Sequence, residues 1–310
     1  MKKKQDQDSE SNRFMQVSKP VNVVLSLFFI ALALCCFVPF LFVVIISFTD
    51  QAVIFKNGYQ FWPEKWTIDA YKALFENGMS LLTAVCVSIF VTVVGTMIGV
   101  ILNALMGYVL SRRNFVLRKA YTMLVFIPML FNGGLTASYL VNTQMLHLRN
   151  SIWALILPLA VNSFYIIVFR TYFTSTVPEE LIESAKMDGA SQLRTFFRIV
   201  IPISLPAMAT IGLFLSFGYW NDWQNALLYV TGNQKLWPMQ YMLMRIEKDI
   251  MFLANNPYLS DVTMAAMRQN LPEDGIRMAL VVLTVIPIAL VYPFFQRYFI
   301  SGLTVGAVKG

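Results

Sequence analysis

Ionisable side chains are scarce in this chain. Only 13% of its 310 residues are Asp, Glu, Lys or Arg, one is histidine and three are cysteine. So few charges cannot cover a water-facing surface, which excludes an ordinary soluble domain. His147 has no Cys or His cluster near it in the sequence, so no metal centre is expected. Cys35, Cys36 and Cys86 follow no disulfide or CxxC spacing and lie in apolar runs, where they read as buried packing residues. A G-x4-G-K stretch followed by Ser or Thr is missing, and with it the loop that cradles nucleotide phosphates. Paired acids within apolar stretches are missing too. That argues against a self-sufficient transporter or channel and leaves an intramembrane enzyme without a nucleophile–base set. No internal repeat or low-complexity tract stands in their place.

What is abundant is apolar. The chain is 57% hydrophobic, with 25 Phe, 17 Met and a mean hydropathy of +0.60. A helical span needs about 20 apolar residues, and six blocks qualify. They are Val21–Phe48, Leu81–Leu110, Ala120–Val141, Ile152–Phe169, Ile203–Val230 and Ile276–Ile300. The first is too long for the apolar core of a cleaved signal peptide and reads as a transmembrane helix behind a disordered tail.

Six spans put both termini on one side. Segments 1–20, 111–119, 170–202 and 297–310 then share a side with 15 Lys and Arg against 7 acidic residues. Segments 49–80, 142–150 and 231–275 are close to charge balance. By the positive-inside rule the first side is cytoplasmic, so the net charge of +7 is a topology signal and implies no nucleic acid. Arg112, Arg113, Arg118 and Lys119 form its densest part. Trp62, Trp66, Trp153, Trp237 and Tyr229 fall near the outer boundary, where aromatic anchors belong.

One cytoplasmic segment is more than a short loop. Residues 177–202 read VPEELIESAKMDGASQLRTFFRIVIP. Thr176 with Glu179 has capping-box spacing and predicts a helix start. Asp188-Gly189 supplies a break, since Gly takes left-handed conformations readily. A second run is expected from near Ser191 to Pro202. Small Ser184, Ala185, Gly189 and Ala190 would let another protein approach the backbone, while Glu183, Asp188, Arg194 and Arg198 offer charge partners. The bland alternative is an amphipathic loop lying on the bilayer surface.

Glu183-Ser184-Ala185, three residues, Gly189, nine residues and Ile199-x-Ile201-Pro202 together resemble the EAA loop of permease subunits in binding-protein-dependent ABC importers, E-A-A-x3-G-x9-I-x-L-P. Ser184 and Ile201 depart from that pattern conservatively, and Asp188 matches its usual acid. Trp220-Asn221-Asp222-Trp223 and the end of the chain from Ser301 to Gly310 are similar to the smaller six-span subunit of maltose-type carbohydrate permeases. The resemblance implies an all-α, six-helix fold of the type I ABC importer permease class, with a permease domain over 21–300 and cytoplasmic tails at 1–20 and 301–310. It implies a second permease subunit, two ATPase subunits that hold ATP and Mg, an extracytoplasmic solute-binding protein, membrane lipid and a sugar substrate. No cofactor is expected on this chain itself, which would be a transport subunit and not an enzyme. It assigns ATPase coupling to Glu183, Ser184, Ala185, Met187, Asp188, Gly189 and Ala190, and an ATPase contact to Gly306, Val308, Lys309 and Gly310. Import of another solute class by the same architecture is the alternative.

Polar residues within apolar blocks supply the remaining candidates. Trp220, Asn221, Asp222, Trp223 and Asn225 would suit a carbohydrate path or a binding-protein contact, since rings stack on sugar faces and amides bond hydroxyls. Asn132 and Asn162 could line the same path. They and Asn103 could equally be bonds between spans. Gly95-x3-Gly99 permits close helix packing, within the subunit or at an interface. Pro128, Gly133-Gly134, Pro158 and Pro206 should kink or interrupt their spans.

Overall fold

A computed structural model of the chain describes residues 19–76, 79–255 and 274–307. Helix accounts for most of it. The helices are α1 (Lys19–Ser47), α2 (Gln51–Asn57), α3 (Asp69–Glu76), α4 (Met79–Ser111), α5 (Arg118–Leu130), α6 (Gly134–Met145), α7 (Trp153–Ala160), α8 (Ser163–Thr176), α9 (Glu179–Met187), α10 (Gln192–Ile203), α11 (Leu205–Trp220), α12 (Gln224–Tyr229), α13 (Met239–Asn255) and α14 (Asp274–Ala307). Among the described residues the only β pairing is an isolated bridge from Thr49 to Trp66.

Three helices are long and apolar enough to cross a bilayer unaided: α1, α4 and α14. The other three spans are each broken. α5 and α6 meet at 118°, α7 and α8 at 48°, and α10 and α11 at 86°. Pro128 lies in α5, Pro158 in α7 and Pro206 in the first turn of α11, so the expected interruptions are present. The last break falls at Ser204, leaving Pro202 inside α10 and not at its end. A π turn over Phe196–Val200 widens the helix just ahead of that proline.

The proline-free, 33-residue α4 is the central element. α7, α8 and α11 pack on it, and three glycines set how closely. A Cβ on Gly95 would lie 2.5 Å from the Tyr219 ring. On Gly99 it would meet Leu215 and the Ala160 carbonyl, and on Gly107 it would meet Phe169 and the backbone of Ile166 and Arg170. The Gly95-x3-Gly99 pair therefore serves packing within this chain. Around it Phe169, Phe173, Phe196, Leu155, Ile156 and Ile211 are fully buried.

The first helix behaves differently. Most of α1 is exposed, including Val23, Leu27 and Phe28, and it joins the bundle at its C-terminal end, where Ile46 is buried. Apart from its contact with α14, this apolar rod presents the kind of surface that hydrocarbon solvates. The cysteines follow the same logic and correct the expectation of burial: Cys35, Cys36 and Cys86 are all free and exposed. They lie on the outer surface of α1 and α4, where an apolar thiol suits lipid as well as it suits a core.

The loops sort into two groups. At one end the Asn150 N–H donates to the Tyr229 carbonyl (2.9 Å) and the Gly232 N–H to Asn150 Oδ1 (3.1 Å). At that end also the Met239 N–H donates to Ser88 Oγ (2.9 Å), and Gly275 lies against Ala70 and the Thr49 carbonyl. At the other end Tyr108 Oη donates to Gln192 Oε1 (3.2 Å) and Arg113 pairs with Glu179 at 3.5 Å. This is the grouping that charge counting gave. Trp62, Trp66 and Trp153 are exposed at the first end, as anchors should be. Tyr229 is not an anchor; it is 2% exposed and stacks on Tyr139 at 6.0 Å.

Candidate functional site

The polar end formed by α9 and α10 is built on one turn. The capping box expected from Thr176 does not form, because α8 continues through Thr176 and Pro178 stands at the N-cap of α9 with no side-chain bond. Glu179 and Glu180 still favour the start, as acids in the first turn of a helix do. Glu179 turns to Arg113 instead of back to its own backbone. The helix then closes by a Schellman motif. The Ala190 N–H bonds the Ala185 carbonyl, the Gly189 N–H bonds that of Lys186, and Gly189 takes φ +74°. Ser191 caps α10 by accepting the Arg194 N–H.

Period 3.6 gives α9 two faces. Ile182 and Ala185 are buried against the bundle, whereas Leu181, Ser184 and Met187 point away, Met187 being 88% exposed. Ala185 therefore faces inward, against the outward position that its small size predicts for a docking surface. It allows α9 itself to sit close to the core. Glu183, Asp188 and Gly189 remain exposed, and a Cβ on Gly189 would touch nothing within 4 Å. Behind α9 a cavity of about 310 Å³ is lined by Tyr108, Arg112, Glu179, Glu183, Lys186 and Gln192 among others. Arg112 lies 5.1 Å over the Tyr108 ring, and its Nη1 is buried without a hydrogen-bond partner. The end of α4 is thus tethered to α9 and α10 by an ion pair, a hydrogen bond and a tilted contact between the Tyr108 and Phe196 rings.

At the opposite end the broken spans open onto a second cavity of about 710 Å³. Asn132, Ser138, Asn142, Asp222, Gln224, Asn225 and Tyr229 supply its polar wall, with Pro158 and Leu159 beside them. Asp222 is not buried in a continuous span: α11 stops at Trp220, and Asp222 serves the turn into α12. Its Oδ1 accepts the Gln224 and Asn225 N–H groups at 3.1 Å, and its Oδ2 accepts Asn225 Nδ2 at 2.8 Å. Asn142 Nδ2 donates to Tyr229 Oη at 2.9 Å.

Of the residues expected from sequence to form a path, Asn132, Asp222 and Asn225 meet in this wall and four others do not. Trp220 is buried on α14, its Nε1 donating to the Thr284 carbonyl at 3.0 Å. Asn221 bonds back to the Phe217 carbonyl, and Trp223 lies beneath Lys248 at 5.7 Å. Asn162 caps α8 through the Phe164 N–H. Asn103 is wholly buried and bonds the Gly99 and Ala160 carbonyls and the Asn162 N–H, which makes it the bond between spans. Ser138, Asn142, Gln224 and Tyr229 were not among the expected residues. The polar run Asn142-Thr143-Gln144 at the end of an apolar block was the available signal. Gly306 lies in the last turn of α14, while Val308, Lys309 and Gly310 lie outside the described residues. Among the described residues no group of His, Cys, Asp and Glu could hold a metal ion.

Comparison with known proteins gives a uniform result. Residues 95–305 match the family described as binding-protein-dependent transport system inner membrane component. The chain is 39% identical over 283 residues, 91% of its length, to the polygalacturonan/rhamnogalacturonan transport system permease protein YtcP of Bacillus subtilis, covering 96% of that protein. It is 40% identical over 276 residues to Protein LplC of the same organism, covering 88% of this chain and 89% of that one. The arabinooligosaccharides transport system permease protein AraQ of Halalkalibacterium halodurans is 26% identical, with 93% and 96% covered. A chain of a bacterial ABC transporter involved in the import of the acidic polysaccharide alginate superposes with a TM-score of 0.76 at 26% identity, covering 92% of this chain and 99% of that one.

Proposed function

Because the chain belongs to the family of binding-protein-dependent transport system inner membrane components, we propose that it is a permease subunit of an ATP-driven importer and carries an oligosaccharide across the membrane. The observation that carries this reading is the α9 turn. A spacing typical of ATPase-coupling loops folds here into a helix closed at Gly189, seated by Ile182 and Ala185, with Met187 projecting from the protein. Its tether to α4 gives a displacement at that surface a route into the bundle.

In this reading the α9 end and both termini face the cytoplasm, as the excess of basic residues there supports. Two ATPase subunits bind ATP and Mg, and they receive α9 through Glu183, Ser184, Met187, Asp188, Gly189 and Ala190. Gly306 to Gly310 reach the same partners. A second permease subunit completes the path. This chain performs no catalysis of its own. An extracytoplasmic binding protein delivers the sugar to the end where Arg245 and Lys248 of α13 stack on Trp237 and Trp223.

The wall of the larger cavity supports the solute class. Amides, a phenol and a hydroxyl beside apolar Pro158 and Leu159 match the alternating hydroxyl and C–H surfaces of a sugar ring. Asp222 already accepts three N–H groups, so it orients the wall more than it offers charge. The names of the relatives, for polygalacturonan, arabinooligosaccharides and alginate, point to the same class. ATP binding closes the ATPases, moves α9 and opens the path outward, and hydrolysis with product release returns it inward.

The test is ATPase activity and sugar uptake in proteoliposomes holding the full complex. Loaded binding protein should stimulate hydrolysis with the wild-type chain and fail to do so with Gly189→Trp or Glu183→Lys. Stimulation that survives both substitutions would remove α9 from the coupling route.

A further inference from the structure

The first turn of α5 is electrostatically the wrong way round. It carries Arg118 and Lys119 and no acid, and no side chain caps its amides. The N-terminal end of a helix is the positive end of its dipole, so two cations there oppose it unless an anion is near. No ion pair among the described residues supplies one. A third cation from another element comes to the same place. Arg170 of α8 lines, together with Arg118, Lys119, Thr122, Met123 and Phe126, a cavity of about 470 Å³ that no part of the proposed transport route uses. The Thr122 hydroxyl in this wall is buried and has no hydrogen-bond partner. Three cations and an unmatched hydroxyl are the chemistry that holds a phosphate ester.

The lower wall says what the phosphate is attached to. Met123 is 65% exposed and Phe126 37% exposed, and each follows the basic turn along α5 in the direction of the bilayer core. Arg170 stands six residues before the end of α8, about 9 Å along its axis, within reach of the interface for a long side chain. A polar head met by cations and an apolar tail met by Met123 and Phe126 describe a lipid. We propose that this cavity binds the headgroup of an anionic phospholipid, with Arg118, Lys119, Arg170 and Thr122 on the phosphate and Met123 and Phe126 along the first part of an acyl chain. Basic pockets between membrane helices select anionic headgroups by this chemistry. The bound lipid ties the first limb of the most sharply bent span to α8, which leads directly into α9. The proposal stands on the membrane location alone and does not depend on the solute or on coupling.

Native mass spectrometry on the full chain, purified with the subunits that accompany it and exposed to mixed phosphatidylglycerol–phosphatidylcholine micelles, tests it. Wild type should retain phosphatidylglycerol in preference. At about 1 kcal/mol per basic residue near an anionic surface, Arg118→Gln, Lys119→Gln and Arg170→Gln should each lose about fivefold of that preference. Arg194→Gln, a charge loss at the same end outside the cavity, should lose none. Glycerol phosphate should not displace the lipid; displacement would mean a site for a soluble phosphate ester and overturn the lipid assignment. Equal retention by wild type and the triple variant overturns the proposal. Loss of a subunit from that variant with lipid preference intact does so as well, since the cluster would then belong to a protein contact. If the triple variant does not accumulate, single Lys119→Gln against the charge-keeping Arg118→Lys, Arg170→Lys pair gives the same decision.

Discussion

Two glycines show how one residue type does opposite work. Gly189 has open space around it, so its side chain is absent for the sake of the backbone: φ is +74° and a Cβ would touch nothing. A β-branched residue there is strained by about 1–2 kcal/mol, whereas Asn tolerates the left-handed region. Gly189→Asn should therefore keep most of the stimulated ATPase rate and Gly189→Val should lose it, at equal expression. Gly95 has an ordinary backbone and no room, its missing Cβ being 2.5 Å from the Tyr219 ring. Gly95→Ala should lower the melting temperature of the detergent-solubilised chain through overpacking of about 1–3 kcal/mol. Combining it with Tyr219→Leu should recover part of that loss, and strict additivity of the two would count against the contact. Sequence alone marked both glycines, and only the surroundings separate their reasons.

At the scale of elements the breaks matter more than the helices. Two of the breaks are stitched by a short polar side chain, Asn132 to the Gly134 N–H and Asn162 to the Phe164 N–H, and Asp222 does the same for the turn into α12. Asn103 adds a cross-brace from α4 to the α7–α8 break. Asn103→Leu leaves the buried Ala160 carbonyl and Asn162 N–H without partners, and a loss of at least about 2 kcal/mol of stability is expected in thermal unfolding. The loop after α1 is held similarly, Asp50 accepting the Ala52 N–H and pairing with Lys65. These contacts keep its carboxyl below the ordinary value of 3.8. A depressed acid stabilises above its unfolded pKa and stops doing so as pH falls through the folded one. Proteolysis in this loop should thus rise only in acid below that value, and Asp50→Asn should abolish the pH dependence.

Hydropathy made the six spans legible, since each apolar block but the fifth became one helix or one bent pair; Ile203–Val230 became α11, which stops at Trp220, and the short α12. Proline and glycine marked where spans break but not how far they bend. Thr176 misled because a capping signature is local, while α8 gains a further turn by packing Phe173 and Val177 into the core. Ala185 was readable in hindsight: it follows Ile182 by three, which puts both on one face. The larger cavity was half legible, because its wall is assembled from Asn132 and Asn142 on either side of a bend and from the distant Asp222, which meet only once the bends exist.

For the molecule as a whole, sidedness is the property everything else rests on. In a chain with Cys35, Cys36 and Cys86 replaced by Ala, Phe55→Cys and Val116→Cys place thiols at the two opposite ends, at positions 83% and 94% exposed in the parent. A membrane-impermeant maleimide added to intact cells should label the first and spare the second. Labelling of both, or of the second alone, would reverse the assignment of ends.

The unbroken α4 then acquires a mechanical meaning. Thirty-three residues at 1.5 Å each make a strut about 50 Å long, with Ser88 pinned to Met239 near one end and Arg113 just beyond the other. Its neighbours have joints; it has none. A push at α9 cannot be taken up by flexing within this rod, so it must appear as tilt of the rod or as folding at the hinges packed around it. Two of those hinges, at Asn132 and at Pro158, line the larger cavity, and its width is the quantity that such a lever would set.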